Sequence, residues 1–128
     1  MISLIRLLSE ALITLKPIEE FQSEFGSSYD SKFVKGPHLF FELVVAVNEV
    51  VGEIEYGIVD ENAIEVISIH VHKEHRGRYY AGDAINALAK SLNQKTIITM
   101  VTPSSKKFWT KLGFTPLKGE DKYYTKTY

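Results

Sequence analysis

Three runs of β-branched and aromatic residues, Leu39 to Asn48, Val50 to Val59 and Ile64 to His72, follow one another with only Asn48-Glu49 and Asp60-Glu61-Asn62 as breaks. Such residues suit a pleated, half-buried surface, and gaps this short leave no room for a crossover. The runs therefore predict three antiparallel strands in a meander. Beyond a polar, Gly-containing loop, Ala81, Ile85, Leu88 and Leu92 recur every three to four residues and predict a helix ending near Asn93. Lys95 to Val101 reads as a buried strand. Pro103 suits the first turn of a helix over Ser104 to Leu112 that Gly113 can end, and Phe114 to Leu117 with Lys122 to Tyr128 form a hairpin around Lys118-Gly119-Glu120-Asp121.

Ahead of the strands, Ile2, Ile5, Leu8, Leu12 and Leu15 recur at helical spacing, and Pro17 is placed to open a second short helix through Phe21 to Phe25. Residues from Gly26 to Pro37 are dense in turn formers and read as a loop bordering a site. The predicted order is helix, helix, three strands, helix, strand, helix, hairpin, an α+β fold with a mostly antiparallel sheet.

No linker, repeat or low-complexity tract divides the 128 residues, which suit one domain, 1–128, with one core. Fifteen Lys and Arg against sixteen Asp and Glu leave no field that would draw the chain to nucleic acid or an anionic membrane. Cysteine is absent, which excludes disulfides, thiolate catalysis and Cys-based zinc sites and fits a reducing, cytoplasmic setting. The apolar start from Met1 to Leu8 is interrupted by Arg6 and lacks a basic lead-in, so it reads poorly as a signal peptide and is too short to span a bilayer.

The chemically informative stretch is a strand running into His75-Arg76-Gly77-Arg78-Tyr79-Tyr80-Ala81 and directly into a helix. A helix N-terminus presents unpaired N–H groups and the positive end of its dipole, Gly77 lets backbone approach closely, and Arg76 and Arg78 add donors suited to phosphate oxygens. Alone, this is also how a solvated basic turn would look. Glu65, Val71, Arg76, Gly77 and Ala81, however, fall where the main signature of the GNAT superfamily of acyl-CoA-dependent N-acyltransferases has its strand Glu and its Val-x-x-x-x-Arg-Gly-x-Gly-x-Gly/Ala. Thr102 to Phe114 resembles a second block of that family, Asn-x-x-Ala-x-x-x-Tyr-x-x-x-Gly-Phe, without a gap, keeping Phe108, Leu112, Gly113 and Phe114. The resemblance covers about Leu43 to the C-terminus.

The resemblance implies a mixed sheet flanked by helices, with a splay between the strand Ile64 to His72 and the strand Lys95 to Val101. Acetyl-CoA would be the co-substrate and an amine the acceptor. The pantetheine arm would enter the splay along Ile69 and Val71, and the pyrophosphate would lie on Arg76, Gly77, Arg78, Tyr79, Tyr80 and Ala81. Thr102, Lys106 and Trp109 would complete the coenzyme site, Lys106 and Lys107 otherwise being exposed helix lysines. Glu65 would be the base, the alternative being a solvent-facing charge like Glu53 and Glu55. The backbone N–H near Val71 would hold the thioester oxyanion.

Departures from the pattern are Tyr79 for Gly, Thr102 for Asn, and Trp109 for the tyrosine that protonates the thiolate. Tyr123, Tyr124, Ser104 or water would then give that proton, or the thiolate would leave without it. These departures keep open a second reading, a non-catalytic acyl-CoA-binding or interaction module. A nucleic-acid-binding module is disfavoured by the charge balance. His70 and His72 share a strand face and His75 lies nearby, yet two strand histidines more often serve as surface or hydrogen-bonded residues, so no metal is expected. Pairing of Lys122 to Tyr128 between subunits would give a homodimer, as the family implies.

Overall fold

The computed structural model describes residues 13–17, 33–34, 39–93 and 95–128. The meander is present as β2 (Leu39–Ala46), β3 (Glu49–Asp60) and β4 (Ala63–Val71). Val47 and Asn48 both have positive φ, 49° and 65°, so they rather than Asn48-Glu49 form the two-residue turn between β2 and β3. Asp60 Oδ1 accepts the N–H of Asn62 at 2.7 Å and closes the next turn. Helix α1 (Tyr80–Ser91) leads to β5 (Thr96–Met100), then α2 (Lys106–Lys111), β6 (Thr115–Pro116) and β7 (Tyr123–Thr127).

The first predicted helix is corrected where it overlaps the described residues. Ile13–Pro17 is a strand, β1, antiparallel to β2 with Ile13 opposite Ala46 and Leu15 opposite Val44. Leu8, Leu12 and Leu15 satisfy a helical period, but Ile13 and Leu15 also satisfy the period of two, and the free edge of β2 offers backbone partners that a helix would forgo. Pro17 is the last residue of that strand. The remainder of both N-terminal helices and most of the loop from Gly26 to Pro37 lie outside the described residues.

The described strands form one sheet in the order β1-β2-β3-β4-β5-β7-β6, antiparallel throughout except for β4 and β5. Val44, Ile54, Ile64, Val66 and Ile97 line one face and pack against Ala84, Ile85, Leu88 and Ala89 of α1, with Trp109 and Phe114 closing the core. Gly113 (φ 92°) ends α2: the N–H of Phe114 reaches Trp109 O at 3.1 Å and that of Gly113 reaches Thr110 O at 3.0 Å. On the opposite face, Phe33 meets the Tyr123 ring edge-on at 4.7 Å, and Val34 lies over Gly57. Strand β7 is flanked by β5 and, at Tyr124 and Thr125, by β6. No helix among the described residues is long and apolar enough to cross a membrane.

Candidate active site

β4 ends in a 3-10 turn, Lys73–His75, from which the chain swings through Gly77 (φ 83°) into α1. A Cβ at Gly77 would meet nothing within 4 Å, so glycine is needed there for backbone conformation and not for space. Tyr79, at the N-cap of α1, is left-handed (φ 63°, ψ 13°), and its side chain makes no capping hydrogen bond. The first helical bond runs from Asp83 N to Tyr79 O at 3.0 Å, which leaves the N–H groups of Tyr80, Ala81 and Gly82 ahead of the intrahelical ladder.

These three residues line a cavity of about 270 Å³ walled also by Val71 and His75, and by Phe108, Lys111 and Leu112 of the α2 segment. Arg76 binds back to the strand, its Nε donating to Val71 O at 3.0 Å, so part of its guanidinium fixes the loop. His75 Nε2 lies 3.3 Å from Glu49 Oε1 in the wall of the same cavity.

The splay is present. β4 and β5 pair in parallel only from Ala63 with Thr96 to Val66 with Thr99. A register shift in β3–β4 leaves Ile67 without a direct partner on β3, and Thr99 Oγ1 donates to Val66 O at 3.0 Å, tying the strands together at the apex. Beyond the apex a second cavity, about 310 Å³, opens between Ile67, Ser68 and Ile69 of β4 and Thr99 and Met100 of β5, with Trp109 at its side. Ala81 and Phe108 line both cavities.

Glu65 sits just inside the apex, between Gly57 of β3 and Ile98 of β5, and is fully buried (0 % exposed). A solvent-facing Glu65 is thereby excluded, and its presumed analogue Glu55 is buried too (5 % exposed). Glu53 is partly exposed and paired, 2.8 Å from His72 Nε2. Strand alternation alone places such charges outward, and only the layer over this face, part of it Val34, removes them from water.

The other sequence-predicted residues divide. Ile69 lines the splay cavity and Val71, Arg76, Gly77, Tyr79, Tyr80 and Ala81 line the cradle, whereas Arg78 is exposed and lines neither. Trp109 lines the splay while its ring packs edge-on against Phe108 and Phe114, each at 4.9 Å. Thr102 is not brought to either cavity: its Oγ1 accepts the N–H of Ser105 at 3.2 Å and its own N–H donates to Ser105 Oγ at 3.0 Å, a local turn that starts α2. Lys106 and Lys107 line a shallow depression with Pro103 and Thr110.

Lys111, Phe108 and Ser105 are among the cavity-lining residues that the sequence did not assign to the site. Phe108 and Lys111 are one turn apart on α2, a spacing that marks a shared face once either is placed. Of the proposed proton donors, Tyr123 and Tyr124 pair with Met100 and Thr99, and Ser104 Oγ lies 3.1 Å from Thr102 Oγ1. None of the three lines the splay, whereas Ser105 does. His70 and His72 stand 5.8 Å apart between ring centroids, and among the described residues no group of three or more His, Cys, Asp or Glu could hold a metal ion.

Residues 2–114 match the model of the Acetyltransferase (GNAT) family. A comparison with curated protein sequences gives no significant match. Among solved structures, a GNAT-family acetyltransferase of Staphylococcus aureus superposes with a TM-score of 0.63 at 14% identity, over 90% of this chain and 98% of that one. A GNAT acetyltransferase of Elizabethkingia anophelis with acetyl-CoA bound gives 0.62 at 14% identity, over 91% and 99%. The PaiA N-acetyltransferase of Thermoplasma acidophilum in complex with coenzyme A gives 0.57 at 20% identity, over 70% of this chain and 61% of that one. At such identities the structural likeness establishes the fold, and together with the family match across most of its length it shows that this chain belongs to the GNAT family of acetyltransferases.

Proposed function

We propose that the protein transfers an acetyl group from acetyl-CoA to a primary amine by direct attack in a ternary complex. The observation that carries this reading is the pair of cavities with Ala81 and Phe108 in common, one against the free amide end of α1 and one in the splay, whose apex adjoins a buried carboxylate. The pyrophosphate lies against the N–H groups of Tyr80, Ala81 and Gly82, with Arg76 and Lys111 supplying charge. The pantetheine arm runs through the splay past Ile69 and Phe108, and backbone N–H groups on the β5-facing edge of β4 beyond Val66 are available to the thioester oxyanion. The solved complexes of PaiA with coenzyme A and of the Elizabethkingia acetyltransferase with acetyl-CoA support the choice of coenzyme.

Glu65 takes one proton from the acceptor ammonium. The freed nitrogen lone pair forms the C–N bond as the C–S bond breaks, and the second amine proton passes to the departing sulfur. A thiol pKa near 8.5 makes the thiolate a tolerable leaving group, so no tyrosine is required, and the Ser105 hydroxyl or water can relay the proton. Calorimetry with acetyl-CoA, followed by thiol release against an amine panel, tests the reading. Absence of binding at near-millimolar ligand would overturn the coenzyme assignment, and binding without release against any amine would leave the binding module as the function.

A further inference from the structure

The side chain of Tyr79 has no task in the reaction described so far. Its backbone is left-handed (φ 63°, ψ 13°), a conformation that glycine or asparagine takes readily and a bulky residue rarely does. The side chain makes no capping hydrogen bond, and it is 69 % exposed although it lines the cradle cavity. Neither a cap nor burial accounts for a tyrosine here. A bulky residue kept in a costly conformation at the rim of a binding cavity points to a contact that arrives with the ligand.

The two cavities say which part of the coenzyme meets this ring. Coenzyme A is a linear molecule in which the pyrophosphate joins the pantetheine arm to an adenosine. Ala81 and Phe108 line both cavities, so an arm that passes into the splay leaves the cradle on their side. The adenosine then leaves over lining residues that the splay does not share, of which Arg76, Gly77, Tyr79 and Lys111 are exposed. Arg76 and Lys111 are cations suited to phosphate, and Arg76 is held to the strand by its bond to Val71 O. Gly77 has no side chain. Among the described lining residues Tyr79 thus offers the exposed aromatic face: Tyr80 is half-buried against the core, its ring centroid 6.3 Å from that of His75, and Phe108 meets Trp109 edge-on at 4.9 Å.

Resting on the acetyl-CoA reading, we infer that Tyr79 is a coenzyme-binding residue whose ring stacks on the adenine base, while the N–H groups that follow it in the chain hold the pyrophosphate. A base needs a flat apolar face, which a tyrosine ring supplies with its hydroxyl left in water. The gain arises only in the complex. A residue better suited to the backbone should therefore stabilise the free protein and weaken the complex, two effects of opposite sign that a purely structural role for the ring would not produce.

The test is calorimetry with coenzyme A on the parent, Tyr79→Asn, Tyr79→Gly and Tyr79→Phe, with thermal unfolding of each ligand-free protein. Loss of the ring in the Asn and Gly variants should weaken coenzyme A by about 5- to 100-fold, the range for one base stacked on an aromatic side chain. Both replacements suit a left-handed N-cap, so the midpoint of unfolding should rise in the same variants. Tyr79→Phe should keep the parent's affinity to within about twofold, since the hydroxyl takes no part in a stack. Coenzyme A carrying the fluorescent etheno derivative of adenine reports the contact itself: its emission should fall on saturating the parent or Tyr79→Phe and change little on saturating the ring-less variants. Equal affinity in the ring-less variants, affinity lost together with stability, a Phe variant as weak as they are, or no fall in emission with the parent would each overturn the inference and leave the acetyl-CoA reading intact. Absence of coenzyme binding by the parent would remove both.

Discussion

At the scale of single residues, the site depends on a few side chains in costly settings. Glu65 is fully buried at the apex of the splay, and Glu65→Gln keeps its shape while removing the proton acceptor. Thiol release should fall by about 10²- to 10⁴-fold, as for loss of a general base, with coenzyme affinity by calorimetry retained. Tyr79 holds a left-handed conformation that costs a non-glycine residue energy, and its side chain is 69 % exposed. Asn tolerates this conformation better, so Tyr79→Asn should raise stability by about 0.5–1 kcal/mol in thermal unfolding. Both residues could be singled out from the sequence. Their settings could not, since burial of Glu65 depends on what crosses the far face, and the φ of Tyr79 depends on how the loop folds back through Arg76 to Val71. Glu42 was equally hidden: it accepts the hydroxyl of Tyr56, whose pKa burial and this carboxylate together raise.

At the scale of elements, the three-strand meander, both helices and the closing hairpin were legible because each has one strong period and a turn signal at each end. β1 was not, because Ile13 and Leu15 fit two periods at once and the choice was made by the open edge of β2. Helix α1 is anchored by Ile85 and Leu88, each without solvent exposure. Leu88→Ala should cost about 2–5 kcal/mol, read from urea unfolding. At Gly52 of β3, opposite Val71 of β4, there is no room for a side chain: a Cβ would lie 2.1 Å from the carbonyl oxygen of His70. Backbone cannot yield as a side-chain tip would, so Gly52→Ala should destabilise the fold by about 1–3 kcal/mol and weaken coenzyme binding by shifting the strand end that feeds the cradle.

At the scale of the whole molecule, the two family blocks made the fold and the cradle readable in advance. The blocks did not show how the site's walls converge, because Ile69 of β4 and Phe108 of α2 come to one cavity only in the folded chain. The β4–β5 register ends the parallel ladder at Val66 and Thr99, so the sheet carries, besides its outer strands β1 and β6, a second pair of edges in its interior. Open strand edges are templates for pairing with other chains. The ligand-free protein should therefore be the more aggregation-prone form, and coenzyme, by occupying the gap, should act as a solubiliser. Light scattering during mild heating, with and without saturating coenzyme A, would show this, and amide exchange along residues 67–71 should slow in the same samples. A chain of this design stays soluble most easily where its coenzyme is abundant.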